Sequence, residues 1–178
     1  MTEGRHVILA AGGTGGHIFP AIAVAEVLLT RGYTVSIITD SRGMDLGGFL
    51  SKVIVHRISA SGFGGSVVAK AKALACIGIG VIQAHLLFRK LRPCCIIGFG
   101  GYPSVPTMVA ATTRGLPTII HEQNAVLGRG NQLVARKASA IATSFEDTQG
   151  ITSENSKKVV LTGNPVRRAF KCVRTLPY

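Results

Sequence analysis

The chain has 178 residues, 47% hydrophobic and 16% charged, enough to bury a core without disulfide staples and too apolar for a disordered segment. Its cysteines, Cys76, Cys94, Cys95 and Cys172, show no zinc-site spacing and read as reduced structural thiols of a cytoplasmic protein, so no metal site is expected. The net charge of +12 is one-sided: Leu46 to His121 contains no Asp or Glu, but holds Lys52, Arg57, Lys70, Lys72, Arg89, Lys90, Arg92 and Arg114. Such a field draws anionic lipid headgroups, nucleic acid or a diphosphate substrate, or serves solubility alone.

Val7 to Ala11 is too short for a signal peptide; it reads as a first strand, from Arg5 to Ala11. The glycine loop Gly12-Gly13-Thr14-Gly15-Gly16-His17 follows, and a helix is expected from about Phe19 to Arg31. Tyr33 to Thr39 and Val53 to Ile58 read as strands, and Val67 to Leu91 as a long helix weakened by Gly78 and Gly80. Its apolar part, Leu74 to Phe88, carries Gln83 and His85 and falls short of the roughly 20 residues that cross a bilayer. Strands are expected at Cys94–Phe99, Thr118–His121, Ala138–Ser144 and Val159–Thr162, with helices ending at Arg114 and spanning Ala125–Lys137. The acid-rich stretch from Glu146 to Glu154 reads as a surface loop. Continuous apolar strands alternating with helices predict an α/β fold, a Rossmann-like parallel sheet with helices on both faces.

Ligands of such sheets lie beyond the carboxyl ends of the strands. Four polar or glycine-rich loops fall there, at Gly12–His17, Gly98–Ser104, His121–Asn124 and Gly163–Arg167. A dinucleotide fingerprint with Asp40 on the ribose is the obvious first reading, an NAD(P)-dependent oxidoreductase. It is incomplete, because Ile18 stands where a third small residue should be. His17, set by the first loop, suits proton transfer near neutral pH, or else only caps the helix or orients substrate. Glu122 could orient His17 or a substrate hydroxyl, or itself be the base.

The segments Gly-Gly-Thr-Gly-Gly-His-Ile-Phe-Pro-Ala (12–21), Gly-Phe-Gly-Gly-Tyr-Pro-Ser (98–104), His-Glu-Gln-Asn (121–124) and Gly-Asn-Pro-Val-Arg (163–167), in that order, resemble the MurG family. These bacterial N-acetylglucosaminyltransferases convert lipid I to lipid II in peptidoglycan synthesis, and so serve cell-wall biogenesis, cell shape and division. The resemblance implies the N-terminal, acceptor-binding half of a GT-B glycosyltransferase. Residues 1–168 would form that domain and 169–178 the start of a linker to a donor-binding domain, without which transfer should be very slow or absent. It implies an inverting displacement by the 4-hydroxyl of N-acetylmuramic acid, with His17 as base and Glu122 the other candidate. It places Thr14, Gly15, Gly16, Asn124 and Arg167 on UDP-N-acetylglucosamine, and Gly100, Gly101, Tyr102, Ser104, His121 and Asn131 on the acceptor side. No metal, organic cofactor or nucleic acid is implied, but rather lipid I and the anionic inner face of the plasma membrane; the basic helix 70–92 would be the docking surface, or else an ordinary buried helix with basic ends. A non-catalytic membrane-surface module is the remaining alternative. The connection from Asp40 to Lys52 is shorter and richer in glycine than the family leads one to expect.

Overall fold

Apolar strands without polar alternation must be covered on both faces, and here they are. A computed structural model describes residues 5–12, 14–41, 53–62, 64 and 66–167. Seven strands, β1 (His6–Ala10), β2 (Thr34–Thr39), β3 (Ile54–Arg57), β4 (Cys95–Gly98), β5 (Thr118–Glu122), β6 (Ala140–Thr143) and β7 (Val159–Leu161), form one sheet. Their order is β3-β2-β1-β4-β5-β6-β7 and every neighbouring pair is parallel. Strand order reverses between β1 and β4, where Ala10 lies beside Gly98. The chain leaves these two strands toward opposite faces, and the gap between their ends is the crevice such folds use for ligands.

Helix α1 (Gly15–Thr30) covers one face, burying Ile18, Ala21, Ile22 and Ala25 against Leu9, Ile37 and Phe99. On the other face α2 (Val67–Leu91), α3 (Ser104–Thr113) and α4 (Arg129–Ala135) close over Ile8, Ile96, Ile120 and Ile141. The four-residue α5 (Ser153–Ser156) begins at the end of the acid-rich stretch, which reads as a plain loop.

Two helix starts differ from the sequence reading. Helix α1 begins at Gly15 rather than Phe19, with Thr14 extended as its N-cap and its carbonyl accepting from the His17 and Ile18 N–H groups. The glycine loop is therefore partly the helix's first turn, and Pro20 lies inside the helix rather than at its start. Helix α4 begins at Arg129 rather than Ala125, because the backbone before it is drawn elsewhere, as described below.

Helix α2 has the expected bounds, with Ser66 accepting from the Ala69 N–H and Arg92 closing it in the left-handed region. By length and composition it is apolar enough to cross a membrane, yet one side is fixed in the fold: Ala73, Gly80, Ala84 and Phe88 are buried. Gln83 accepts the Ser59 N–H at 2.7 Å, tying the segment after β3 to the helix. Gly80 permits that approach, since a Cβ there would run into the Ser59 carbonyl oxygen and stand 3.0 Å from Pro106 Cβ. Cys76, Cys94 and Cys95 are free, and burial, with Cys94 adjacent, pushes the Cys95 thiol up to about 11, so it stays protonated at neutral pH. Cys172, the expected linker at 169–178 and most of the connection from Asp40 to Lys52 lie outside the described residues.

The two helix glycines give opposite expectations. Gly80→Ala should destabilise this chain by about 1–3 kcal/mol through overpacking. Gly78 is exposed with nothing near its would-be Cβ, so Gly78→Ala should stabilise by up to about 1 kcal/mol. Urea unfolding of the two variants checks this, and shifts of the same sign would contradict the packing described.

Candidate functional site

Three glycines make room for one imidazole. The Gly12 N–H donates to the Gly100 carbonyl at 3.2 Å, joining the loops that follow β1 and β4. The ring of His17 lies against this junction: a Cβ would stand 3.4 Å from its Cδ2 if built on Gly12 and 3.1 Å if built on Gly101, and 3.3 Å from its Cε1 if built on Gly100. Gly100 and Gly101 also have φ of 85° and 76°, a conformation L side chains avoid. His17 Nδ1 lies 2.8 Å from the Phe99 carbonyl oxygen and 3.2 Å from Gln123 Oε1. Carbonyl oxygens only accept, so Nδ1 carries the proton and Nε2 keeps its lone pair. Among the described residues no hydrogen bond takes Nε2.

The end of β5 is built around a carboxylate. Glu122 is 1% exposed, and four N–H groups serve it: Asn124 donates to Oε1 from its backbone at 3.1 Å and from Nδ2 at 2.9 Å, while the Gly128 backbone and Asn131 Nδ2 each donate to Oε2 at 2.9 Å. Holding the backbone of Asn124 and Gly128 on this acceptor is what keeps residues 125–128 out of α4. His121, also buried, donates from Nε2 to the Gly163 carbonyl at 3.2 Å and accepts at Nδ1 from Gln123 Nε2 at 3.0 Å. Burial holds the His121 imidazolium well below its usual pKa, against weaker opposing effects of the Gly163 carbonyl and the Glu122 charge. The imidazole is therefore neutral at physiological pH.

The four sequence motifs thus meet at one edge of the sheet, but their residues divide into two sets. Around His17 lie two connected clefts, one lined by Thr14, Asp40, Gly101 and Tyr102, the other by Gly100, Gly101, Tyr102, Asn124 and Arg129, floored by Glu122 and Asn131. A third cleft on the far side of the glycine loop joins Gly15 and Gly16 to residues 164–167, with the Arg167 guanidinium 4.4 Å above the Phe19 ring. Asn124, expected with the donor group of residues, lies instead with Tyr102 and Glu122.

The others hold the frame. Ser104 is 1% exposed and its hydroxyl donates to the Gly101 carbonyl, so it shapes the second loop from inside instead of facing the acceptor. His121 and Asn131 are likewise spent on internal partners, Gly163 and Gln123 for one and Glu122 for the other. With both oxygens engaged and no hydrogen bond to His17, Glu122 has the arrangement of a structural anion rather than of a base. Ile18 is buried in the core, where a dinucleotide fingerprint calls for a small residue. Gln123, absent from the expected site residues, touches His17 directly. Its position in the His-Glu-Gln-Asn run was visible, whereas the side on which its amide lies was not. Among the described residues no group of three or more His, Cys, Asp or Glu side chains could hold a metal ion.

Comparison with known proteins agrees with this architecture. Residues 7–143 match the glycosyltransferase family 28 N-terminal domain. The chain is 48% identical over 172 residues to the UDP-N-acetylglucosamine–N-acetylmuramyl-(pentapeptide) pyrophosphoryl-undecaprenol N-acetylglucosamine transferase of Rhodospirillum centenum, covering 97% of this chain and 45% of that protein. It is 50% identical over 179 residues to the protein of the same name from Paramagnetospirillum magneticum, covering 99% and 48%. A crystal structure of MurG from Acinetobacter baumannii superposes with a TM-score of 0.75 at 32% identity, over 98% of this chain and 50% of that one. The chain spans about half the length of the curated relatives it matches. It belongs to glycosyltransferase family 28 and carries that family's N-terminal domain.

Proposed function

We propose that this chain forms the acceptor-binding half of an enzyme that transfers N-acetylglucosamine from UDP-N-acetylglucosamine to the undecaprenyl-diphosphate-linked N-acetylmuramyl pentapeptide, lipid I, giving lipid II. The observation that carries the reading is His17, whose Nδ1–H is committed to the Phe99 carbonyl while Nε2 stays open beside two clefts. Such an imidazole is prepared to accept a proton. In the reaction the acceptor 4-hydroxyl oxygen bonds to the anomeric carbon of the donor sugar, its proton passes to His17 Nε2, and the anomeric C–O bond breaks with its electron pair leaving on UDP. Attack from the face opposite the leaving group inverts the anomeric centre.

The remaining residues take roles by position. Gly100, Gly101 and Tyr102, beside Asn124 and Arg129, hold the acceptor near its diphosphate. Gly15 and Gly16, at the start of α1 with Arg167 across the cleft, meet the donor diphosphate, which a helix N-terminus and a guanidinium both favour. Thr14, expected on the donor, lines the cleft beside His17 with Asp40 and Tyr102 rather than the one between Gly15 and Arg167. Glu122 fixes the framework and takes no proton. The donor's remaining contacts come from a second domain, without which the chain transfers sugar poorly.

A lipid-linked acceptor requires a membrane surface, and α2 has the character of one. Ile79, Ile82 and Leu86 form an exposed apolar stripe at helical spacing, with Leu74 exposed nearer the start of the helix, Lys70 and Lys72 before them and Arg89, Lys90 and Arg92 after them, all exposed. We assign this face to the anionic inner leaflet of the plasma membrane.

Two outcomes are expected. In this chain joined to the C-terminal half of a relative, His17→Ala should lower kcat by roughly 10²–10⁴-fold with little change in the KM for the nucleotide sugar; transfer within a few-fold of the parent would overturn the base assignment. Each surface cation adds about 1 kcal/mol on anionic lipid, so Lys70→Ala with Lys72→Ala should weaken binding to phosphatidylglycerol-containing vesicles roughly 30-fold. Co-sedimentation that does not change would move the docking face elsewhere.

A further inference from the structure

A run of hydrogen bonds leads away from His17 through Gln123 to His121 and the Gly163 carbonyl, and its polarity is fixed at three points by backbone oxygens that can only accept. Phe99 O fixes the proton of His17 on Nδ1. The Gln123 amide nitrogen lies 3.1 Å from the His121 backbone carbonyl and 3.0 Å from His121 Nδ1, so both its hydrogens are used and Oε1 must face His17. Gly163 O fixes the proton of His121 on Nε2, which leaves Nδ1 as the lone pair that the amide requires. Reversing any one link would set two N–H groups, or two lone pairs, against each other in a partly buried site, at the full cost of an unmade bond.

We propose that Gln123 is a positioning residue for His17: its side-chain amide, anchored on His121, holds the imidazole with Nδ1 protonated and Nε2 turned to the substrate clefts. This rests on the base role given to His17 above. The Phe99 carbonyl alone sets the tautomer but leaves the ring free to pivot about one bond. Gln123 supplies a second acceptor for the same N–H and so defines the plane of the ring. Counting the Phe99 carbonyl, this run of hydrogen bonds joins all four motifs, and Gly163 begins the segment that carries Arg167. Movement of that segment on the donor side is thereby mechanically linked to the orientation of the base.

The test is two-bond ¹H–¹⁵N NMR of the histidine side chains in this chain, with ¹⁵N-labelled histidine. His17 should carry its proton on Nδ1 and His121 on Nε2, and a wild-type His17 protonated on Nε2 overturns the proposal at once. Gln123→Met removes one acceptor from the shared N–H and should raise the Nε2–H tautomer of His17 roughly fivefold, the worth of one net hydrogen bond. Gln123→Glu keeps an acceptor opposite His17 Nδ1 and adds a charge, but puts a lone pair where His121 Nδ1 now meets an N–H donor, so His17 should remain Nδ1-protonated with its pKa raised while His121 takes up a proton more readily. An unchanged His17 spectrum in Gln123→Met, with the backbone amide spectrum intact, would refute the positioning role. Should Gln123→Met lose the fold, Gln123→Glu decides: a retained tautomer with a raised pKa supports the role, and an unchanged pKa removes it. Full transfer by the His17→Ala enzyme would sink the functional reading without touching this spectral result, so the two failures are distinguishable.

Discussion

A carboxylate buried at the end of a central strand constrains everything around it. Removing an ionised group from water costs several kcal/mol, and four N–H donors to Glu122 offset that. Two of the four come from the backbone and two from asparagine side chains, one of them on α4. Because every donor must point inward, the segment from Asn124 to Asn131 has little freedom. The same geometry presents Asn124 and Arg129 along the cleft beside Tyr102. The site is thus framed by one buried anion, while the proton chemistry is assigned to the histidine across from it.

That histidine depends on the absence of side chains as much as on their presence. Strand order reverses beside β1, so the loops after β1 and β4 come together there, and the glycines at 100 and 101, with positive φ and no room for a Cβ, let their backbones close against the imidazole. The fold brings the parts together, and of the strands' own residues Glu122 alone lines the two clefts beside His17. Polar residues of the motifs then fall into two kinds: those whose atoms remain open to the clefts, and those whose hydrogen bonds are already complete.

That division explains what the sequence could and could not convey. Periodicity marked α2 from Val67 to Leu91 and the seven strands, because apolar runs and caps are local features. The meeting of four loops at one edge followed from the parallel α/β class. Helix starts at α1 and α4 were misplaced, since Gly15, Gly16 and His17 read as loop although they form the first turn of α1, and nothing local reveals that Glu122 holds the backbone of Asn124 and Gly128. Gly80 reads as a weak point in α2, although it is where Ser59 comes closest. Gln123 escaped notice for the same reason: its role depends on a partner 106 residues away and on which end of its amide faces it. Ser104, Asn131 and His121 look like ligand residues in a motif because a polar side chain that holds a loop together and one that binds substrate are the same letter.

Amide hydrogen exchange at Asn124 and Gly128 in this chain, measured beside the Glu122→Gln variant, tests the buried carboxylate most directly. Both residues are exposed and lie outside helix and strand, so their N–H groups have no protection unless Glu122 supplies it. Slow exchange of both, lost in Glu122→Gln where an amide hydrogen must confront one of the donors, is the predicted result. Exchange of both amides at free-loop rates in the unsubstituted chain would contradict the account.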